Sequence, residues 1–164
     1  MKAGKIIGSL LGIGVVAGSI GGVAYYSKKS LNKSEELQGR YKSYYQLTNQ
    51  WLVNKNEGKN VSEYFMVNDI KSVAIYGMGT LGELFYEELK KSDVKVEYFI
   101  DKNAEELYYG LDDIAIVGLD DIENQPKADV IVVTPVFDFE SIEKDLQEIT
   151  DIELVSLEDI IYGI

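Results

Sequence analysis

Three kinds of hydrophobic patterning succeed one another along the chain. From Ile6 to Tyr26 the sequence IIGSLLGIGVVAGSIGGVAYY carries no charge at all. From Leu37 to Leu52 apolar residues recur at helical spacing (Leu37, Tyr41, Tyr44, Tyr45, Thr48, Trp51, Leu52), and Asn56-Glu57-Gly58-Lys59-Asn60 then breaks the pattern. A shorter helix is expected over Val61–Asn68, with Val61, Tyr64, Phe65 and Val67 as its apolar residues. From Ile70 onward, short runs rich in β-formers alternate with amphipathic stretches. The runs predict strands at Ser72–Tyr76, Val94–Ile100, Ile114–Val117, Val130–Thr134 and Ile152–Ser156, with helices at Thr80–Lys91, Phe139–Ile149 and Leu157–Tyr162.

Strand–helix alternation requires parallel strands joined by crossovers. The expected architecture is therefore α/β: a parallel five-stranded, Rossmann-like half-fold in the order 3-2-1-4-5. The run VIVVT at 130–134 has no polar alternation, as expected of a strand buried on both faces. The expected division is residues 1–29 as an N-terminal tail and transmembrane helix, 30–69 as a linker and helical neck, and 70–164 as the Rossmann-like domain. Within the neck, Ser30–Glu36 reads as a short linker or a helix start, and the aromatic stripe after it as a cover packed on the adjoining domain.

At a rise of about 1.5 Å per residue, Ile6–Tyr26 would reach roughly 31 Å, enough to cross a bilayer core. Lys2 and Lys5 flank one end, Lys28, Lys29 and Lys33 the other, and Tyr25 and Tyr26 fall where interfacial aromatics belong. The competing reading is a signal peptide cleaved near Gly22-Val23-Ala24. The length of the uncharged run and the basic cluster behind it favour a single-pass membrane anchor. The more basic C-terminal flank places the C-terminal domain in the cytoplasm. Gly4, Gly8 and Gly12, and again Gly14, Gly18 and Gly22, repeat at small-xxx-small spacing, which suits a homo-oligomer formed through the membrane helix.

Charge and composition narrow the chemistry. The net charge is −12, yet the first 42 residues hold seven Lys or Arg against two acids, so the body is more acidic than the total suggests. Such a field repels phosphate backbones and argues against nucleic acid as a partner. Any anionic ligand would need local, directed hydrogen bonds. The chain of 164 residues has neither cysteine nor histidine, which excludes disulfides, thiolate zinc sites, cysteine nucleophiles and histidine-based triads.

The stretch AIYGMGTLGELFYEEL, residues 74–89, carries the clearest candidate site. Gly77, Gly79 and Gly82 match G-x-G-x-x-G between a predicted strand and a predicted helix. Gly77 would permit the turn out of the strand, Gly79 the approach of a pyrophosphate, and Gly82 the packing of helix on strand. The N–H groups from Met78 to Leu81, with the Thr80 hydroxyl, would hold phosphates at a helix N-terminus. Asp101 ends the second strand nineteen residues beyond Gly82, where an acid accepting from ribose hydroxyls belongs, and it would disfavour a 2′-phosphate. Glu83, in the first helical turn, opposes a nearby phosphate. A glycine turn that only packs a strand on a helix is the structural alternative.

With YGMGTLG, YFIDKN and VIVVT in this order, residues 71–164 resemble bacterial Rossmann-type nucleotide-binding modules. These include the N-terminal domains of PglD-type sugar acyltransferases and the CoA-binding-like domain of membrane-anchored nucleotide-sugar epimerases and dehydratases. Similar epimerase-like domains accompany surface-polysaccharide genes. The resemblance implies NAD or a nucleotide-sugar as ligand, and implicates Gly77, Met78, Gly79, Thr80, Gly82, Asp101, Thr134 and Pro135. It also implies a polysaccharide enzyme as partner. Within these 164 residues neither the acyltransferase repeat nor the second catalytic half of those relatives is expected. No catalytic residue and no metal ligand is assigned. The Tyr-x-x-x-Lys spacings Tyr86/Lys90 and Tyr98/Lys102 do not lie where the reductase pair belongs. Asp112-Asp113 and Asp120-Asp121 read as turns and a helix start on an acidic surface. Three functions stand: an anchored binding module serving a polysaccharide enzyme, a non-binding protein-docking scaffold, and an NAD-dependent reductase or epimerase completed by a partner.

Overall fold

Alternation of side chains along each strand gives the sheet two apolar faces, and the chain covers both. The computed structural model describes residues 7–107 and 111–164, with side chains from residue 28 onward within them. Five parallel strands, β1 (Ser72–Tyr76), β2 (Lys95–Ile100), β3 (Ile116–Val117), β4 (Val130–Val133) and β5 (Glu153–Ser156), stand in the order β3-β2-β1-β4-β5. That is the expected order. Val73 and Ile75 of β1, Phe99 of β2 and Val132 of β4 face one side, and Ala74, Tyr76, Tyr98, Ile100, Ile131 and Val133 the other.

The first face packs α3 (Thr80–Leu89) through Phe85 and Leu89, α5 (Leu157–Gly163) through Leu157, Ile160 and Ile161, and α2 (Ser62–Val67) through Phe65. The second face packs α4 (Phe139–Gln147) through Ile142 and Leu146, and the 3-10 turn Leu119–Asn124 through Ile122. The connection β1-α3-β2 thus lies on one face and β4-α4-β5 on the other. The strand order reverses between β1 and β4, which opens a crevice at their carboxyl ends.

The chain divides into two compact units, Met1–Lys42 and Ser43–Ile164, and helix α1 (Ile7–Asn56) contributes to both. The stretch read as a linker or helix start, 30–36, is helical throughout. Its Glu and Lys content and the i,i+4 pair Arg40–Glu36 (3.4 Å) support that state. The membrane-crossing segment expected at Ile6–Tyr26, with its glycine face, lies outside the residues whose side chains are described. Among the described residues no helix is long and apolar enough to cross a membrane.

Within the second unit the neck uses a different face from the expected one. Leu47, Trp51 and Asn54 are buried, while Tyr45 and Leu52 are 70% and 59% exposed. Polar anchoring explains the choice. Asn54 Nδ2 donates to Ile161 O at 2.6 Å on α5, and Trp51 Nε1 donates to Glu88 Oε2 at 2.9 Å on α3. In α2, Phe65 is buried as expected, but Val67 is 84% exposed because it faces away from α3 and α5.

Candidate functional site at the strand-order reversal

Tyr76 and Val133 are the last paired residues of β1 and β4, so Gly77 and Thr134 leave the sheet side by side. Gly77 has φ +94°, a conformation that side chains resist. A Cβ there would also lie 2.9 Å from both the Pro135 ring and Thr134 Oγ1. Gly77 N–H donates to Ile100 O at 2.8 Å. The Thr134 hydroxyl is buried within 3.0 Å of both Tyr76 O and Gly77 O and donates to this carbonyl pair. Its role is to hold the turn. Gly82 lies directly beneath: a Cβ on it would be 2.0 Å from Gly77 O. Helix α3 can therefore leave the strand at this angle only with no side chain at position 82.

Gly79 differs from both. Its φ of −84° and ψ of −176° suit any residue, and a Cβ on it would meet nothing within 4 Å. Neither backbone strain nor internal packing calls for glycine at this position. It opens onto a cavity of about 370 Å³ lined by Gly77, Gly79, Thr80, Leu81, Thr134, Pro135 and Tyr44 of α1. Helix α3 has no side-chain cap, and its first bond into the loop is Glu83 N–H to Gly79 O at 3.0 Å. The N–H groups of Thr80, Leu81 and Gly82 precede that bond and have no intrahelical acceptor. This end of α3 offers free donors and the positive end of its dipole.

Asp101 sits beside the loop. Its Oδ2 accepts from Met78 N–H at 2.8 Å and its Oδ1 from Asn103 N–H at 2.8 Å. Met78 N–H is thus taken by the protein itself, leaving the phosphate-type donors from Thr80 onward. Each Asp101 oxygen keeps a second lone pair. Beyond Asp101, at the carboxyl ends of β2 and β3, a cavity of about 590 Å³ runs between Lys102–Glu106 and Gly118–Asp121. Of the eight residues singled out from sequence, five line the 370 Å³ cavity (Gly77, Gly79, Thr80, Thr134, Pro135). Gly82 lies under it, and Met78 and Asp101 pair at its side. Tyr44 was not singled out as a site residue, because only the docking of α1 brings it there.

The two Tyr-x-x-x-Lys spacings belong to other contacts. The Tyr86 hydroxyl donates to Asp112 Oδ2 at 3.2 Å, and Lys90 Nζ meets the same oxygen at 3.2 Å. Burial and the Asp112 bond push the Tyr86 phenol up, so it is not activated as a base. The Lys90 and Tyr86 hydrogen bonds hold Asp112 below the usual carboxylate range. This cluster pins a turn in which Asp112 and Asp113 have positive φ, a state that Asp tolerates. Tyr98 is buried in the second face, and Lys102 pairs instead with Asp145 at 3.4 Å. Among the described residues no group of three or more Asp or Glu side chains is arranged to hold a metal ion.

One family profile, described as C2185-like, N-terminal, matches residues 69–154. The chain belongs to this family. No curated protein and no solved structure matches the chain. The C2185-like segment contains β1 to β4, the glycine loop, Asp101 and Thr134, and it ends within β5. Tyr44 and Trp51 come from α1, before the C2185-like segment begins.

Tyr76, at the end of β1 in that segment, gives a pH prediction. Burial first, then the nearby charges of Asp101, Asp145 and Asp138, raise its phenol from 10.0 to about 12. The neutral phenol is favoured in the folded state, so its contribution to stability is complete below about pH 10 and is lost as pH rises through about 12. Unfolding midpoints measured from about pH 9 to 12 should fall steeply. Tyr76→Phe should flatten that fall by on the order of 2 kcal/mol. An unchanged alkaline slope in the variant would place the sensitive group elsewhere.

Proposed function

We propose that the chain is a membrane-anchored module that binds a nucleotide or nucleotide-sugar at the Gly77–Gly82 loop. Its role is that of an accessory or regulatory subunit to an enzyme of bacterial surface-polysaccharide biosynthesis. The observation that carries the binding is Gly79. It is a glycine with ordinary backbone angles and no neighbour within 4 Å, set at the mouth of a cavity and beside uncapped helix N–H groups. Close approach of a diphosphate gives that glycine a reason to be there. The anchor is supported by the uncharged Ile6–Tyr26 run and its basic flanks, and the cytoplasmic side by the heavier C-terminal flank. The regulatory rather than catalytic role is supported by Tyr86 and Lys90, both tied to Asp112, by Lys102, paired with Asp145, and by the lack of histidine and cysteine.

The alternative of a protein-docking scaffold has its own support. Met78 N–H and the Thr134 hydroxyl are already used inside the protein, and Glu83 is exposed in the first turn of α3. Calorimetric titration of the full chain in detergent micelles with NAD, NADP, UDP- and CDP-sugars and CoA decides between them. The expected result is one ligand binding with a Kd below about 100 μM, weakened at least about tenfold by Gly79→Val. The same variant should cost no more than about 1 kcal/mol of stability, the order of losing a favoured N-cap residue, because its Cβ meets no protein atom within 4 Å. Absence of binding by all of these ligands would leave the scaffold.

A further inference from the structure

We infer that Tyr44 of α1 is the specificity-determining wall of the glycine-loop cavity, and that the group it selects beyond the diphosphate is a flat, weakly polar ring rather than a sugar. This rests on the nucleotide reading and deepens it. Tyr44 precedes the C2185-like segment, so the determinant comes from outside the matched part of the chain.

Its position is set by anchors on the same helix face. Leu47, Trp51 and Asn54 lie three, seven and ten residues beyond Tyr44 and are all buried. Spacing of this kind keeps side chains on one side of a helix. Trp51 is tied to Glu88 and Asn54 to Ile161 O, so this part of α1 is fixed against both α3 and α5. Tyr44, about one turn before Leu47, is thereby held as a wall of the 370 Å³ cavity that the glycine loop also lines.

The lining decides the class of ligand. Leu81, Pro135 and the Tyr44 ring are its bulky members, and among the described residues no carboxylate, amide side chain or basic residue lines the cavity. The Thr134 hydroxyl proton is committed to the Tyr76 and Gly77 carbonyls. Sugar hydroxyls need several acceptors and donors, and burying them unpaired opposes binding. A planar heteroaromatic ring instead presents faces that an aromatic wall and a proline ring can cover. The loop N–H groups remain for the diphosphate, and the Thr80 hydroxyl for a single polar substituent.

The test varies the group attached to the terminal phosphate of ADP, and adds UDP-glucose to vary the base. The full chain in detergent micelles is titrated with ADP, ADP-ribose, ADP-glucose, NAD and UDP-glucose, for wild type, Tyr44→Ala and Tyr44→Phe. Heat and the fluorescence of Trp51, the single tryptophan, are read together. The expected result is NAD binding at least about tenfold more tightly than ADP-ribose or ADP-glucose. Tyr44→Ala should weaken NAD far more than ADP or ADP-ribose and so abolish that ratio, and Tyr44→Phe should preserve it. A merely structural role would weaken all ligands alike and leave the NAD-to-ADP-ribose ratio intact, which overturns the inference. Preference for ADP-glucose or UDP-glucose over NAD also overturns it while the nucleotide reading survives. Failure of wild type to bind any of the five overturns the nucleotide reading, and this inference with it.

Discussion

Gly82→Ala is expected to destabilise the domain by more than about 3 kcal/mol, a large part of the roughly 5–15 kcal/mol typical of a folded domain. The added methyl group would sit 2.0 Å from Gly77 O, which is backbone and cannot rotate away. Relief would require α3 to move off β1. That shift would strain the Thr134 contacts to Tyr76 O and Gly77 O, both 3.0 Å, and uncover Phe85 and Leu89. Urea unfolding monitored by Trp51 fluorescence measures it directly. A midpoint close to wild type would mean that the helix rides loosely on the strand, and the crevice at the strand-order reversal would lose its fixed shape. The contrast with Gly79 is the useful control: two glycines three residues apart in one motif, one intolerant for internal reasons and the other open to solvent.

Glu88→Ala is the second large effect, at about 2 to 6 kcal/mol. Glu88 lies on α3 and is 7% exposed. Its Oε1 accepts from Val61 N–H at 3.0 Å and from Lys55 Nζ at 2.9 Å, while its Oε2 accepts from Trp51 Nε1 at 2.9 Å. One carboxylate therefore joins α3 to α1 and to the start of α2. Removing it strands two buried N–H groups, each costing about 1–3 kcal/mol, while Lys55 can turn to water. Glu88→Gln should lie between, since an amide oxygen in the Oε1 place still accepts from Val61 N–H and Lys55 while its NH2 group opposes Trp51 Nε1–H. A cycle with Trp51→Phe should show coupling of at least about 1 kcal/mol. If Glu88→Ala unfolds at the wild-type urea concentration, α1 is held by its apolar contacts alone.

The fold of residues 70–164 was readable because its signals are local. Each strand is a run of β-formers of the right length, and each helix carries its own stripe. Strand order comes from alternation and handedness. The ends moved by a residue or two where pairing decides them: β3 is only Ile116–Val117, with Ile114 in a separate bridge to Leu111. The glycine loop was readable because its constraints lie within six residues. Asp101 was placed by spacing, but its bond to Met78 N–H needs the pairing of Tyr76 with Ile100 that ends β1 and β2 side by side. The neck was least readable. Tyr44, Tyr45, Trp51 and Leu52 are alike as apolar signals, and the face that turns inward was settled by Asn54 and Glu88. Those two polar residues have partners 107 and 37 positions away in sequence.

The Asn54–Ile161 bond also fixes the timing of folding during synthesis. Leu47, Trp51 and Asn54 leave the ribosome long before α5 exists. Trp51 can meet Glu88 once α3 is made, but the part of that face around Asn54 stays uncovered until α5 follows. An apolar surface left open for that long is an invitation to chaperones and to neighbouring nascent chains. Aggregation of slowly translated or truncated chains should therefore begin at α1, rather than at the sheet.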